Sequence, residues 1–465
     1  MTTNISKNSS EEKLDFKRIL PIFIIVLIDL LGLTVIIPLM PFYAAKFQAD
    51  AFTIGLLGAT YPIFQFIGAP LLGRISDRYG RKPVLIISQF GTFIGFLILG
   101  FANTLWVLFL ARLVDGISGA NLSTAQAAIS DSTSAKNRTQ GLGLIGAAFG
   151  IGFILGPIIA FVALSLSNNN YSIPAFVAAG FSALSILLSW FLFHESLPEE
   201  KRGKGTQKPS FTLVAMLQAL RRPYIGVLLI LIFSQQIVFG GFQQMLALFT
   251  LGRLGLNASG NSIIFVFVGL IIVIMQGGLI GRLSRKYGDR KLIYFGLALL
   301  AVGLTLLAFT PRQPLPGYSK AALSAEISAN PNIRTHEHPV NHNLTVELPE
   351  DTKKGWLGIG WLLVAMVPSA MGGSLLNPAI NSLITRQVVP DEVGGILGIS
   401  AAFLSGANAI APVVMGAAFQ AWGSTVAFFL GGMVMAILLV FALRMIQPGK
   451  GETTPAGLPH PSTAN

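Results

Sequence analysis

The chain has no cysteine among its 465 residues, so disulfides and thiol chemistry are excluded. Charge is nearly as scarce. Only 11% of residues are Asp, Glu, Lys or Arg, against about 25% in a soluble globule. Hydrophobic residues make up 52% and the mean hydropathy is +0.68. Too few charges remain to coat a water-facing surface, so most of the surface must face lipid. No histidine falls inside an apolar run. No Gly-x-x-x-x-Gly-Lys-Ser/Thr loop is present, which leaves an ATP-driven pump without support. No His-Glu-x-x-His motif or nucleophile elbow occurs either. The sequence therefore points away from an enzyme and implies no cofactor and no metal.

What is present is a series of long apolar runs. A bilayer needs about 20 apolar residues per helix. Twelve segments qualify: 19–41, 52–72, 83–102, 104–129, 141–164, 174–193, 223–250, 261–281, 292–310, 356–384, 394–418 and 424–446. Twelve in succession cannot share one soluble core. The first is too long for a signal-peptide h-region and lacks a small-residue cleavage site, so it reads as an uncleaved span. The net charge of +12 lies in short clusters between the runs, which is the pattern of cytoplasmic loops and not of a nucleic-acid groove. With the N-terminus inside, the inner loops hold most of the Lys and Arg, and the short outer loops hold only Lys46 and Arg253. Both termini are then cytoplasmic.

One motif occurs twice. Gly73-Arg74-Ile75-Ser76-Asp77-Arg78-Tyr79-Gly80-Arg81-Lys82 is matched by Gly281-Arg282-Leu283-Ser284-Arg285-Lys286-Tyr287-Gly288-Asp289-Arg290. Leu142-Gly143 with Pro157 likewise match Leu397-Gly398 with Pro412. These pairings predict an all-α membrane protein of two pseudo-symmetric six-helix bundles. The expected order is a tail (1–18), a first bundle (19–193), a basic linker (194–222), a second bundle (223–446) and a tail (447–465). The second bundle carries an extra extracytoplasmic loop, 311–355. Its His336, His338 and His342 are better read as part of a flexible polar loop than as a metal site.

Charges inside the membrane are costly, so they are functional candidates. Asp29 lies near the centre of span 1. Burial penalises the charged form of a carboxylate, so such an acid can exchange protons; it can also merely pair with a neighbour to fix packing. Arg112 and Asp115 are three apart on span 4 and can form a pair. Gly119, Ser123 and Gln126 extend their face, which suits water or substrate better than lipid. Gln65, Gln126, Gln236, Gln243, Asn377 and Asn381 are weaker candidates for a polar cavity between the halves; each alone is as readily an interhelical hydrogen bond. Gly156 and Pro157 give span 5 a point of close approach and a bend.

Gly73 to Arg81 resembles the signature loop between spans 2 and 3 of the major facilitator superfamily. Arg112-Leu113-Val114-Asp115-Gly116-Ile117-Ser118-Gly119 resembles its span 4 motif, and Gly146 to Gly156-Pro157 the span 5 motif of its proton-coupled antiporters. Asp29 with Pro38 and Pro41 is similar to span 1 of the 12-span drug/proton antiporters, especially the tetracycline-antiporter branch. The resemblance covers the whole chain and implies two bundles rocking about a central site. It also implies a cytoplasmic latch of Gly73, Asp77, Arg78, Gly80 and Arg81, with Asp131 as the partner of Arg81. Two departures stand out. The tetracycline antiporters carry acids in spans 3 and 9; the matching position in span 3 is Gly95, and Ile293 to Phe309 holds no acid. Arg285 stands where the first copy has Asp77, which makes the latch a first-half device.

The expected function is secondary transport, with proton-coupled efflux of a small organic or amphipathic solute by a monomer in a bacterial inner membrane. Asp29, Arg112 and Asp115 would couple protons. The alternatives are a sugar or metabolite facilitator on the same fold, and an interaction protein using the 311–355 loop.

Overall fold

A computed structural model describes residues 16–119, 121–133, 138–202, 213–328, 347–389 and 392–446. His336, His338, His342, both tail ends and the middle of the 194–222 linker lie outside the described residues. The described chain is helical. Eleven helices are long and apolar enough to cross a bilayer: Ile19–Lys46, Ala51–Tyr79, Arg81–Gly100, Leu105–Asp131, Leu144–Leu166, Ser172–Leu192, Pro223–Leu254, Ala258–Tyr287, Asp289–Ala308, Leu357–Thr385 and Gly395–Met445. The first ten are spans 1 to 10. The last has 51 residues, or about 77 Å at 1.5 Å per residue, more than twice the hydrocarbon thickness. It turns at Gly423, whose φ of 75° and ψ of 167° leave the helical region. Spans 11 and 12 therefore meet at one glycine, where a short loop was expected.

The outward faces confirm what the composition demands. Trp106, Ile87 and Leu166 are 82%, 68% and 83% exposed and have lipid as their natural solvent. Spans 2, 4 and 8 start on a side-chain cap. Asp50 accepts from Thr53 N at 2.8 Å and Asn257 from Gly260 N at 3.0 Å.

The halves touch along two seams. At the first, spans 2 and 11 approach through glycine: a Cβ on Gly416 would stand 2.7 Å from the Ala51 carbonyl. At the second, a Cβ on Gly269 of span 8 would stand 2.7 Å from the Phe153 carbonyl of span 5. The first seam lies at the ends of spans 2 and 11 away from the basic loops. The halves are thus closed on the side away from the basic loops. A short helix, Lys320–Ser328, from the long loop adds to this closure. Its Glu326 accepts from Asn257 Nδ2 at 3.2 Å, beside Ser259, which donates to Asn169 Oδ1 of the first half at 2.6 Å.

The repeated motif differs from its expected form. Span 2 continues as helix through Asp77 and Arg78 to Tyr79, and only Gly80 turns. Its φ is 106°, and Gly288 in the second copy has 80°. Glycine is required there because a Cβ disfavours that backbone.

Candidate functional site

A cavity of about 1640 Å³ lies between the halves. Its mouth carries Gly73, Arg74, Asp77 and Arg78, so it opens on the basic side. The walls are mostly apolar and aromatic, including Phe66, Phe149, Phe239, Phe242 and Phe265. Carboxamides punctuate them. Gln65, Gln126 and Gln243 line the cavity, together with Gln244 and Asn408. Gln244 was not anticipated; it neighbours Gln243 and breaks the helical spacing used to select candidates.

The other three amide candidates do not line it. Each is held in a bond within the second half. Gln236 donates to Asn408 Oδ1 at 2.8 Å, Asn377 accepts from Gln235 Nε2 at 3.0 Å, and Asn381 accepts from Ser400 Oγ at 2.7 Å. These bonds tie spans 7, 10 and 11 together. Their helical spacing identified a buried face without distinguishing cavity from helix contact.

Beside the cavity, inside the first bundle, lies a small recess of about 40 Å³, the chamber. Asp29, Gln89, Thr92 and Asp115 line it. Leu33, Tyr61, Gln65, Leu122 and Phe149 border both spaces. Gln65 Nε2 donates to Tyr61 Oη at 2.9 Å and to the Gly119 carbonyl at 3.0 Å, which pins this shared border to span 4. Arg112 and Asp115 form the expected pair, NH2 to Oδ2 at 3.0 Å, with both side chains buried. They face different spaces: Arg112 lines the large cavity and Asp115 the chamber. Arg112 also lies over the Tyr61 and Phe96 rings at 5.8 and 5.9 Å.

Gly95 explains how this acid fits. A Cβ there would come within 2.9 Å of Asp115 Cβ. Span 3 thus has no acid at this position but makes room for one projecting from span 4. Gly156 is a similar contact point: a Cβ on it would lie 2.6 Å from Thr34 Cβ in span 1. The helix runs on through Pro157.

At the basic end, Arg81 is buried against Asp77, Asp131 and Ser76, at 2.6, 2.9 and 2.7 Å. Glu195, just beyond span 6, accepts from the Arg81 and Lys82 backbone amides at 2.9 and 3.1 Å and so caps span 3. The second half holds a network at the corresponding position. Asp289, buried, accepts from Ser382 Oγ at 2.6 Å and from Ser284, and pairs with Arg386 NH2 at 2.8 Å. Its charges are inverted relative to Arg81 and Asp131.

Two bundles around a central cavity closed on one side, with an ionisable group behind the wall, define a membrane carrier of the alternating-access class. The Major Facilitator Superfamily model matches residues 22–324, and the chain belongs to that family. The Escherichia coli tetracycline resistance protein of class B is 28% identical, covering 84% of this chain and 86% of that protein. The class G protein of Vibrio anguillarum is 32% identical over 62% of this chain and 72% of its own length. Multidrug resistance protein 2 of Bacillus subtilis (strain 168) is 28% identical over 62% and 73%. Among solved structures, the nucleoside transporter NupG has the same fold, with a TM-score of 0.69 at 14% identity, covering 93% of this chain and 99% of that one.

Proposed function

We propose that the chain exports a small organic amphipath from the bacterial cytoplasm in exchange for protons, and that it is a carrier and not an enzyme. The carrying observation is the pair of adjoining spaces: a large aromatic and amide-lined cavity open on the basic side, and a chamber bearing Asp29 and Asp115 directly behind it. The relation to tetracycline and multidrug resistance proteins supports the cargo class and the direction. The Arg112–Asp115 pair supports a coupling sign. Protonating Asp115 removes the anion beside Arg112 and leaves a positive charge at the cavity wall. A cationic cargo is then disfavoured, which is the competition that exchange needs.

Residues Asp77, Arg78, Arg81 and Asp131 would act with Gly73 and Gly80 as the latch of the basic side. A monomer suffices, because cavity and chamber are both built from one chain. Inside-out vesicles energised with a pH gradient test the reading. Wild type should accumulate ethidium, and Asp115→Asn and Asp29→Asn should each lose at least about tenfold of the proton-driven rate. Transport that ignores the gradient and stops at equilibration would favour the second reading, a facilitator, which draws on the fact that neither carboxylate lines the cavity itself.

A further inference from the structure

The chamber contains more than its two acids. Gln89 is 1% exposed and its Nε2 donates to Ser185 Oγ at 2.8 Å, which fixes the side chain. Its Oε1 is buried without a hydrogen-bond partner in the protein, and the residue lines the chamber. Thr92, 4% exposed, stands one turn further along the same helix against Asp115. A buried acceptor without a protein partner is expensive unless water reaches it. A polar cavity needs at least about 10–15 Å³ to hold a water, and the 40 Å³ here exceeds that.

The charged and titratable groups facing the space are few. Span 1 supplies Asp29, span 2 Tyr61 and span 4 Asp115, which Arg112 pairs from the cavity side; span 3 supplies the neutral Gln89 and Thr92, and span 5 the apolar Phe149. We propose that this chamber is a hydrated site that passes the coupling proton between Asp29 and Asp115, with Gln89 and Thr92 as the side chains that hold its water. The proposal rests on the proton-coupled reading above. The step balances simply. A carboxyl O–H of Asp29 breaks to a water, that water or the next gives a proton to an Asp115 carboxylate oxygen, and no other bond changes. Cargo and proton then occupy separate spaces, and Arg112 communicates between them.

Gln89 and Thr92 are absent from the cargo cavity lining. Their variants therefore separate proton traffic from cargo binding. The test uses the full-length protein in proteoliposomes, with ethidium binding followed by fluorescence and proton-driven exchange followed across pH. Gln89→Leu and Thr92→Val should bind ethidium within about twofold of wild type. Their exchange should fall at least about tenfold at neutral pH and its pH profile should move to higher pH by about one unit, because a drier chamber disfavours charged carboxylates. Thr92→Ser, which keeps the hydroxyl, should restore the wild-type profile. Unchanged rates and profiles in both Gln89→Leu and Thr92→Val would overturn the chamber proposal alone. Exchange driven by a sodium gradient would overturn it as well, by giving the site to a metal cation. Wild-type transport blind to pH would instead remove the proton-coupled reading on which it rests.

Discussion

The inverted charge at one pair of positions changes how the two halves compare. Arg285 against Asp77 is the mismatch visible in the aligned copies, but both side chains are exposed. The buried mismatch is one turn later: Arg81 is 7% exposed and Asp289 is 4% exposed. Each is the centre of a network whose outer member comes from the following long helix, Asp131 or Arg386. A buried charge deprived of its partners is costly, while an exposed one is not. Arg81→Gln and Asp289→Asn should therefore each destabilise the protein by about 1–3 kcal/mol. Arg285→Ala should leave the melting midpoint in detergent unchanged. Equal shifts for all three would refute the burial argument. Gly95 belongs at this scale too. Gly95→Ala pushes a methyl group against Asp115 and should cost about 1–3 kcal/mol by overpacking. Proton-driven transport should fall more steeply than the amount of folded protein, measured by size-exclusion chromatography.

Among the described elements, the helix Lys320–Ser328 belongs to the long loop that is extra to the second half. Burial pushes the Glu326 carboxyl above the ordinary glutamate range, while hydrogen bonds from Asn257 and neighbouring side chains pull the other way. The sign follows from linkage. A raised value in the seated state means that the seated helix favours the protonated acid. Its contribution is complete below the ordinary glutamate value and is lost as pH rises through the raised one. The extracytoplasmic cover should thus sit tightest in acid and loosen toward neutral pH. The absence of cysteine makes this measurable without background. A Leu323→Cys reporter, buried at 6% exposure, should react faster with an impermeant maleimide as pH rises. Glu326→Gln should flatten that dependence. The amide bonds joining spans 7, 10 and 11 show the same limit of sequence reading: periodicity finds the polar face, but only packing decides which neighbour it meets.

For the whole molecule, closure on one side and opening on the other are a single arrangement. The contact between Ser259 and Asn169 crosses the halves on the closed side, while Arg74 and Arg78 stand at the open mouth. A Ser259→Cys, Asn169→Cys protein should form a disulfide across the halves and stop transport, and reductant should restore it. Transport that continues with the bridge intact would show that the halves need not part at this end. The architecture was largely legible beforehand, because hydrophobic length and the bias of Lys and Arg act locally along the chain. Asp29, Arg112 and Asp115 were legible for a related reason: a charge in an apolar run is conspicuous. Glu195, Gln244, Asp289 and Glu326 were not, since each sits at a helix end, in a loop or beside a similar residue, and only its neighbours make it notable.

Sequence alone determined the membrane class, the repeated halves and the short list of intramembrane charges, because each follows from composition or spacing along one chain. Tertiary structure decided which amides face the cavity, that Asp115 and Arg112 look into different spaces, and that Gly95 makes room for an acid from another helix. Those outcomes depend on the rotation and approach of helices far apart in sequence, and close packing between them is a property of pairs of surfaces and not of either one.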